Sequence, residues 1–246
     1  MASRGLVRGR VVRGPLKKVV AAKVGLATGL LTGAAILAPS PAAAVPQNCL
    51  NNPAYGCYAR GTFHDGSAWG GDYVQLQVAG ISASSGAYLN EEMWTTTNNG
   101  TSYWSEIGYT YDQPLCSDKD LTWFYFSTSP SGDRWSCFGS TSIGSWHQLE
   151  VQEDVPSQWY IYLDGVEEAI DSGTSGWNYD DYTGLEYHDA GHTSVSGNAY
   201  FSYNEVRSTS CCSWYYWNQG GTNVDYPGTY DWKWTATNPW IHGYDY

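Results

Sequence analysis

Tyr103-Trp104-Ser105-Glu106-Ile107-Gly108-Tyr109-Thr110-Tyr111 decides the reading of this chain. Side chains of a β-strand alternate between two faces, so Trp104, Glu106, Gly108 and Thr110 share one face, while Tyr103, Ile107, Tyr109 and Tyr111 share the other. The second set is apolar and suits a core. The first places a carboxylate beside one aromatic and two small residues, which is the lining of a groove with room for a ligand.

Outward from this segment the same grammar recurs. Runs rich in Val, Ile, Thr, Tyr and Trp are separated by Gly, Ser, Asn and Asp, and no stretch beyond the N-terminal segment carries sustained helical periodicity. The spacing predicts strands over 73–79, 88–97, 102–111, 121–128, 146–152, 158–164, 183–188 and 198–207. Asn99-Gly100 and Asp164-Gly165 supply hairpin turns. Residues 146–165 read as two neighbouring antiparallel strands joined by an acidic loop, 153–157. Strands spaced in this way call for an all-β fold, an antiparallel β-sandwich or a barrel. The tail, 213–246, is rich in Trp, Tyr and Gly, and either wraps the sandwich or paves a surface.

The N-terminus reads differently. Seven of the 12 Lys and Arg residues (Arg4, Arg8, Arg10, Arg13, Lys17, Lys18 and Lys23) precede a 15-residue apolar run, Val24 to Ala38, followed by Ala42, Ala43 and Ala44. A membrane span needs roughly 20 apolar residues. The pattern is that of a secretory signal peptide over 1–44, with cleavage after Ala44 and a single domain over 45–246. The expected location is extracellular, with no membrane attachment once the signal is removed.

Past the signal, five basic residues face all 24 acidic ones, a formal charge of −19. Such a surface repels phosphates and anionic lipid heads, which excludes nucleic acid as a partner and favours an extracellular polymer, either protein or polysaccharide. All 13 Trp, 21 Tyr and 5 Phe lie in this part. Trp and Tyr pair an apolar body with a polar handle, and an exposed row of them stacks on sugar rings. The six cysteines also fall here, and in an oxidising exterior they read as three disulfides. Cys116 pairs with Cys137. The other four form either Cys49–Cys57 and Cys211–Cys212 or two bridges tying the N-terminal pair to the C-terminal pair, and the second is preferred because adjacent cysteines bond to each other only through a strained ring.

A second strand, Gly184-Leu185-Glu186-Tyr187-His188, aligns Gly184, Glu186 and His188 opposite Leu185 and Tyr187. If the two strands share a sheet, Glu106 and Glu186 face each other on its outer surface. Two close carboxyls cannot both ionise freely, so one becomes a proton donor while the other stays a base. Glu91 and Glu92 lie on opposite faces of their strand, and Glu92 with Trp94 is the choice that joins the groove. Glu106 and Glu186 are thus the candidate catalytic pair, with Trp104, Trp94, Glu92 and His188 as substrate-binding residues.

The order of Met93-Trp94, Tyr103 to Tyr109, Trp123-Phe124-Tyr125-Phe126, Trp159 to Gly165 and Gly184-Leu185-Glu186 resembles a group of actinobacterial secreted β-sandwich proteins. More distantly it is similar to glutamic peptidases of the eqolisin and neprosin type. That resemblance implies a concanavalin-like jelly roll and acid hydrolysis of peptides, with Glu106 and Glu186 at the two catalytic positions. The chain has Glu106 where eqolisins have Gln, and it lacks the neprosin cysteine signature. Residues 159–165 also resemble the strand and turn of laminin-G-like sugar-binding sandwiches. A non-catalytic glycan-binding module is therefore the alternative, and a structural envelope or matrix protein the third reading.

Other chemistries find no support. His188 and His192 do not converge on a strand running into a Gly loop, no Asp-x-Asp-x-Asp-Gly loop is present, and no metal or other cofactor is called for. Nucleophile elbows and phosphate-binding glycine loops are missing.

Overall fold

The computed structural model describes residues 57–84, 86–97, 103–111, 116, 120–129, 132–155, 158–172, 177–188, 193–210, 213–217, 222–225, 232–234 and 242–245. The expected signal peptide, Cys49, Cys211, Cys212, the Asn99-Gly100 turn and His192 lie outside the described residues.

Every element among the described residues is a strand: β1 (Cys57–Phe63), β2 (Trp69–Gln77), β3 (Gly80–Ala83), β4 (Tyr88–Thr97), β5 (Trp104–Tyr111), β6 (Thr122–Ser129), β7 (Gly132–Ser140), β8 (Trp146–Val155), β9 (Gln158–Leu163), β10 (Val166–Ser172), β11 (Asn178–His188), β12 (Thr193–Ser196), β13 (Ala199–Ser208), β14 (Trp214–Tyr216), β15 (Thr222–Asp225), β16 (Trp232–Trp234) and β17 (His242–Asp245). All eight expected strands are present. β1, β3, β7, β10, β12 and the four C-terminal strands add to them. β7 and β10 close the two ends of the main strand order among the described residues, and their exposed stretches, 132–134 and 166–168, leave little hydrophobic alternation to read. In β1 the inward positions include Ala59 and Gly61, too small to stand out.

The strands run antiparallel in the order β15-β1-β11-β4-β5-β6-β7 on one side and β10-β9-β8-β2-β13 on the other. One pair, Asn178 with Trp69, links β11 to β2, so the sheet folds over on itself there as a concanavalin-like jelly roll. Between the two layers pack Leu89, Met93, Ile107, Tyr109 and Leu185 from one side and Val74, Leu76, Leu149, Val151, Ile161 and Phe201 from the other. Tyr109 spans the layer, its hydroxyl accepting the Ala79 N–H at 2.8 Å.

The Asp164-Gly165 turn closes the β9–β10 hairpin with φ of 52° and 74°, the two left-handed positions of a tight hairpin turn. Glu153, expected in the loop after β8, is instead within that strand and buried. The described parts of the C-terminal tail do both: β14 and β17 pair with β13, β15 pairs with β1, and Trp217 and Trp232 are buried against Phe63 and Phe201, while Tyr215 and Tyr216 stand exposed on the surface. The Cys116–Cys137 bridge forms as expected and ties the segment before β6 to β7. Closing a loop of 21 residues stabilises the fold by about 3 kcal/mol in the chain-entropy account.

Candidate active site

β4 and β5 are buried along both faces, although only one face meets the core. The other face is sealed by its own side chains, and the pairing register shows how. Arg60 on β1, Gly184 on β11, Glu92 on β4 and Gly108 on β5 stand abreast in one row. One row along are Tyr58, Glu186, Asn90 and Thr110; on the other side are Thr62, Tyr182, Trp94 and Glu106. Glu186, Glu92 and Glu106 therefore lie on a diagonal across three strands. A glycine sits beside Glu92 on each side, and the missing side chains open the space into which the three acids turn.

One carboxylate oxygen from each of Glu92, Glu106 and Glu186 lies within 4.8 Å of the other two. The adjoining hollow, about 260 Å³, is lined by Tyr58, Arg60, Trp94, Trp104, Glu106 and Tyr182, together with Thr96. Glu106 accepts the Trp104 indole N–H at 3.1 Å. Glu186 accepts the Tyr88 hydroxyl at 3.1 Å and the Asn90 amide at 3.5 Å. Glu92 is 1% exposed, and neither of its oxygens has a well-aligned hydrogen bond among the described residues.

These environments separate the three acids. Burial raises all of them, because a charge in a poorly solvated site is disfavoured. Glu92 is pushed well above the usual carboxylate range by burial and then by the charges of Glu106 and Glu186. Glu106 is pushed likewise by burial and by Glu186. Glu186 is raised by burial as well, but the hydroxyls of Tyr88 and Tyr58, the Arg60 guanidinium and the Asn90 amide pull it back. The donors and the guanidinium around Glu186 favour its ionised form, and burial favours the protonated forms of Glu92 and Glu106. Both tyrosines remain protonated donors: Tyr58 is raised chiefly by the Glu186 charge, Tyr88 chiefly by burial.

Arg60 is held by aromatic faces. Its guanidinium carbon lies 4.4 Å from the Tyr58 ring centre, 4.4 Å from Tyr182 and 5.2 Å from Trp94. Such cation–π contacts keep a charge fixed in a desolvated place. Trp94, 5% exposed, stacks on Tyr182 at 5.1 Å, so this ring is a wall of the hollow with one face covered.

Of the six residues expected from sequence, the fold gathers Glu106, Glu186, Glu92, Trp104 and Trp94 in one place. Glu92, expected as a substrate-binding residue of a two-acid groove, stands between the other two. His188 is set apart: it stacks on Tyr88 at 5.6 Å, and Tyr88 supplies the hydrogen bond to Glu186. Sequence reading passed over Tyr58, Arg60, Tyr88, Asn90 and Tyr182. A signal for most of them was present, since Tyr88 and Asn90 are in phase with Glu92, and Tyr182 is in phase with Glu186.

No protein family and no curated protein sequence matches this chain. Solved structures do. Scytalido-glutamic peptidase, crystallised with a peptide-based transition state analog, aligns over 77% of this chain and 97% of its own at a TM-score of 0.56 and 11% identity. SCP-B, a member of the eqolisin family of peptidases in complex with the tripeptide Ala-Ile-His, aligns over the same shares at 0.55 and 11%. The Bacillus licheniformis β-glucanase covers 50% of the chain at 0.35 and 17%. The likeness to the two peptidases is one of fold, that of the concanavalin-like β-sandwiches. Within that class the chain is similar to the glutamic peptidases across nearly their full length.

Proposed function

We propose that this protein is an acid-acting hydrolase of peptide bonds, working through Glu186, Glu106 and Glu92. The observation that carries this reading is the meeting of three carboxyl groups within 4.8 Å beside an open hollow. Its support from fold is the likeness to eqolisin structures.

The acid whose neighbours favour its ionised form is the base. Glu186, steadied by Tyr88, Tyr58 and Arg60, takes a proton from a water molecule whose oxygen adds to the scissile carbonyl carbon. Glu106, still protonated, donates to the carbonyl oxygen as charge develops there. When the tetrahedral intermediate collapses, the proton held by Glu186 passes to the leaving nitrogen and the C–N bond breaks. The proton on the oxygen returns to Glu106, leaving a carboxylic acid and an amine. Glu92, protonated between the two, keeps negative charge from accumulating in the site.

Cleavage of denatured casein at acid pH tests the proposal. Wild-type protein is expected to release peptides, while Glu106→Gln and Glu186→Gln, both folded, release none. Undiminished cleavage by both variants would remove the reading. The basic and apolar N-terminal segment fits an export route, and the acidic charge and aromatic content fit an extracellular polymer as substrate; recovery of the chain from culture medium lacking residues 1–44 checks the first.

A further inference from the structure

The opposite outer face of the sandwich carries a different chemistry. Across β9, β8, β2, β13 and β14 the register sets Tyr162, Glu150, Tyr73, Glu205 and Tyr216 in one continuous line. All five point away from the core, because their strand neighbours Ile161, Leu149, Val74, Val206 and Trp217 are fully buried. Neighbouring strands are about 4.8 Å apart, so a tyrosine recurs about every 9.6 Å with a carboxylate between. A β-1,4-linked pyranose chain advances by close to one strand spacing per ring and turns over at each ring. Alternate sugars thus present the same face at the interval of the tyrosines.

Three further features favour a sugar chain along this line. Tyr203 has φ 57° in the β13 irregularity between Ser202 and Glu205, a strained conformation for a bulky residue, and the bulge turns its ring out beside Tyr216 at 6.4 Å. Tyr203 and Tyr216 are 44% and 45% exposed, while Tyr73 and Tyr162 are half-buried and the Tyr73 ring meets Trp214 edge-on at 5.9 Å, which extends the aromatic surface beside the line. Amide groups flank the line: Gln75 donates to the Tyr73 hydroxyl at 3.1 Å and Gln152 donates to Glu150. Arg207, the nearby cation on β13, is 5% exposed and turned to the carbonyls of Gly70 and Glu153 and the carboxylate of Asp154. The charges presented along the line are those of Glu150 and Glu205, which oppose an anionic polysaccharide and leave a neutral one unopposed.

We propose that this face docks an extended, uncharged β-1,4-linked polysaccharide, with Tyr162, Tyr73 and Tyr216 under alternate sugar rings and Glu150 and Glu205 accepting from their hydroxyls. It stands apart from the carboxyl site and from any activity there. The test is depletion of purified protein from solution by microcrystalline cellulose and by chitin. Retention on either is expected, equal for wild type and Glu106→Gln, and weakened about tenfold when the Tyr73 and Tyr216 rings are both removed by Tyr→Ala. Tyr216→Ala alone, at an exposed position, gives a smaller loss, and Tyr73→Phe with Tyr216→Phe retains binding. The proposal is overturned by no retention on both polymers, by stronger retention on alginate, or by retention that survives loss of both rings.

Discussion

Glu92 on β4 and Gly108 on β5 face each other across the sheet, so closely that a Cβ at position 108 would lie 2.6 Å from Glu92 Cβ and 2.3 Å from the Glu91 carbonyl oxygen. The glycine is what lets the middle acid turn into the site. Gly108→Ala is expected to cost about 1–3 kcal/mol through overpacking and to displace Glu92. Thermal unfolding and casein cleavage measured together check this, with both falling.

Arg60 acts on the acids through space. Its charge favours the ionised forms of Glu92 and Glu186. Arg60→Met keeps the bulk between the rings and deletes the charge, so Glu186 holds its proton to higher pH. The acid limb of the pH–rate profile is expected to move upward, whereas Arg60→Lys leaves it nearer to wild type.

Trp104 acts on one acid alone. Its indole N–H favours the ionised form of Glu106. Trp104→Phe removes that donor, so Glu106 stays protonated to higher pH. The alkaline limb of the same profile is expected to shift upward while the acid limb stays in place.

Stability should fall as pH rises. Asp181 is fully buried among Thr95 and Asn178, and burial pushes its carboxyl up to about 7 from 3.8. Between those values the folded chain holds a proton that the unfolded chain has lost, so the slope of unfolding free energy with pH is negative. Stability is fullest below about pH 4 and is lost progressively up to about pH 7. Asp72, raised by burial and by the charge of Asp181, adds in the same direction. Melting temperatures from pH 4 to 8 are expected to decline, and Asp181→Asn to flatten the decline.

The core strands were legible because burial imposes alternation. Tyr88–Thr97 is bounded as its composition suggests, and Ile107 and Tyr109 point inward as period two requires. Glu106 and Glu186 stood out as acids inside such strands. What alternation could not supply was which strand lies between theirs. The intervening strand is β4, and this is why Glu92 holds the centre and the acids number three. Arg60 was harder to read, because β1 shows the core Ala and Gly where other strands show Val and Ile. The line of Tyr162, Tyr73 and Tyr216 is likewise written in three distant segments and exists only through cross-strand register.

The most direct measurement is kcat/KM against pH on an unfolded protein substrate for wild type, Glu92→Gln, Glu106→Gln and Glu186→Gln. Expected are a bell on the acid side of neutrality in wild type, activity below detection in Glu186→Gln and Glu106→Gln, and a surviving bell in Glu92→Gln, where an amide replaces a carboxyl that is already neutral. A profile independent of pH, or one unchanged by replacing Glu186, would contradict it.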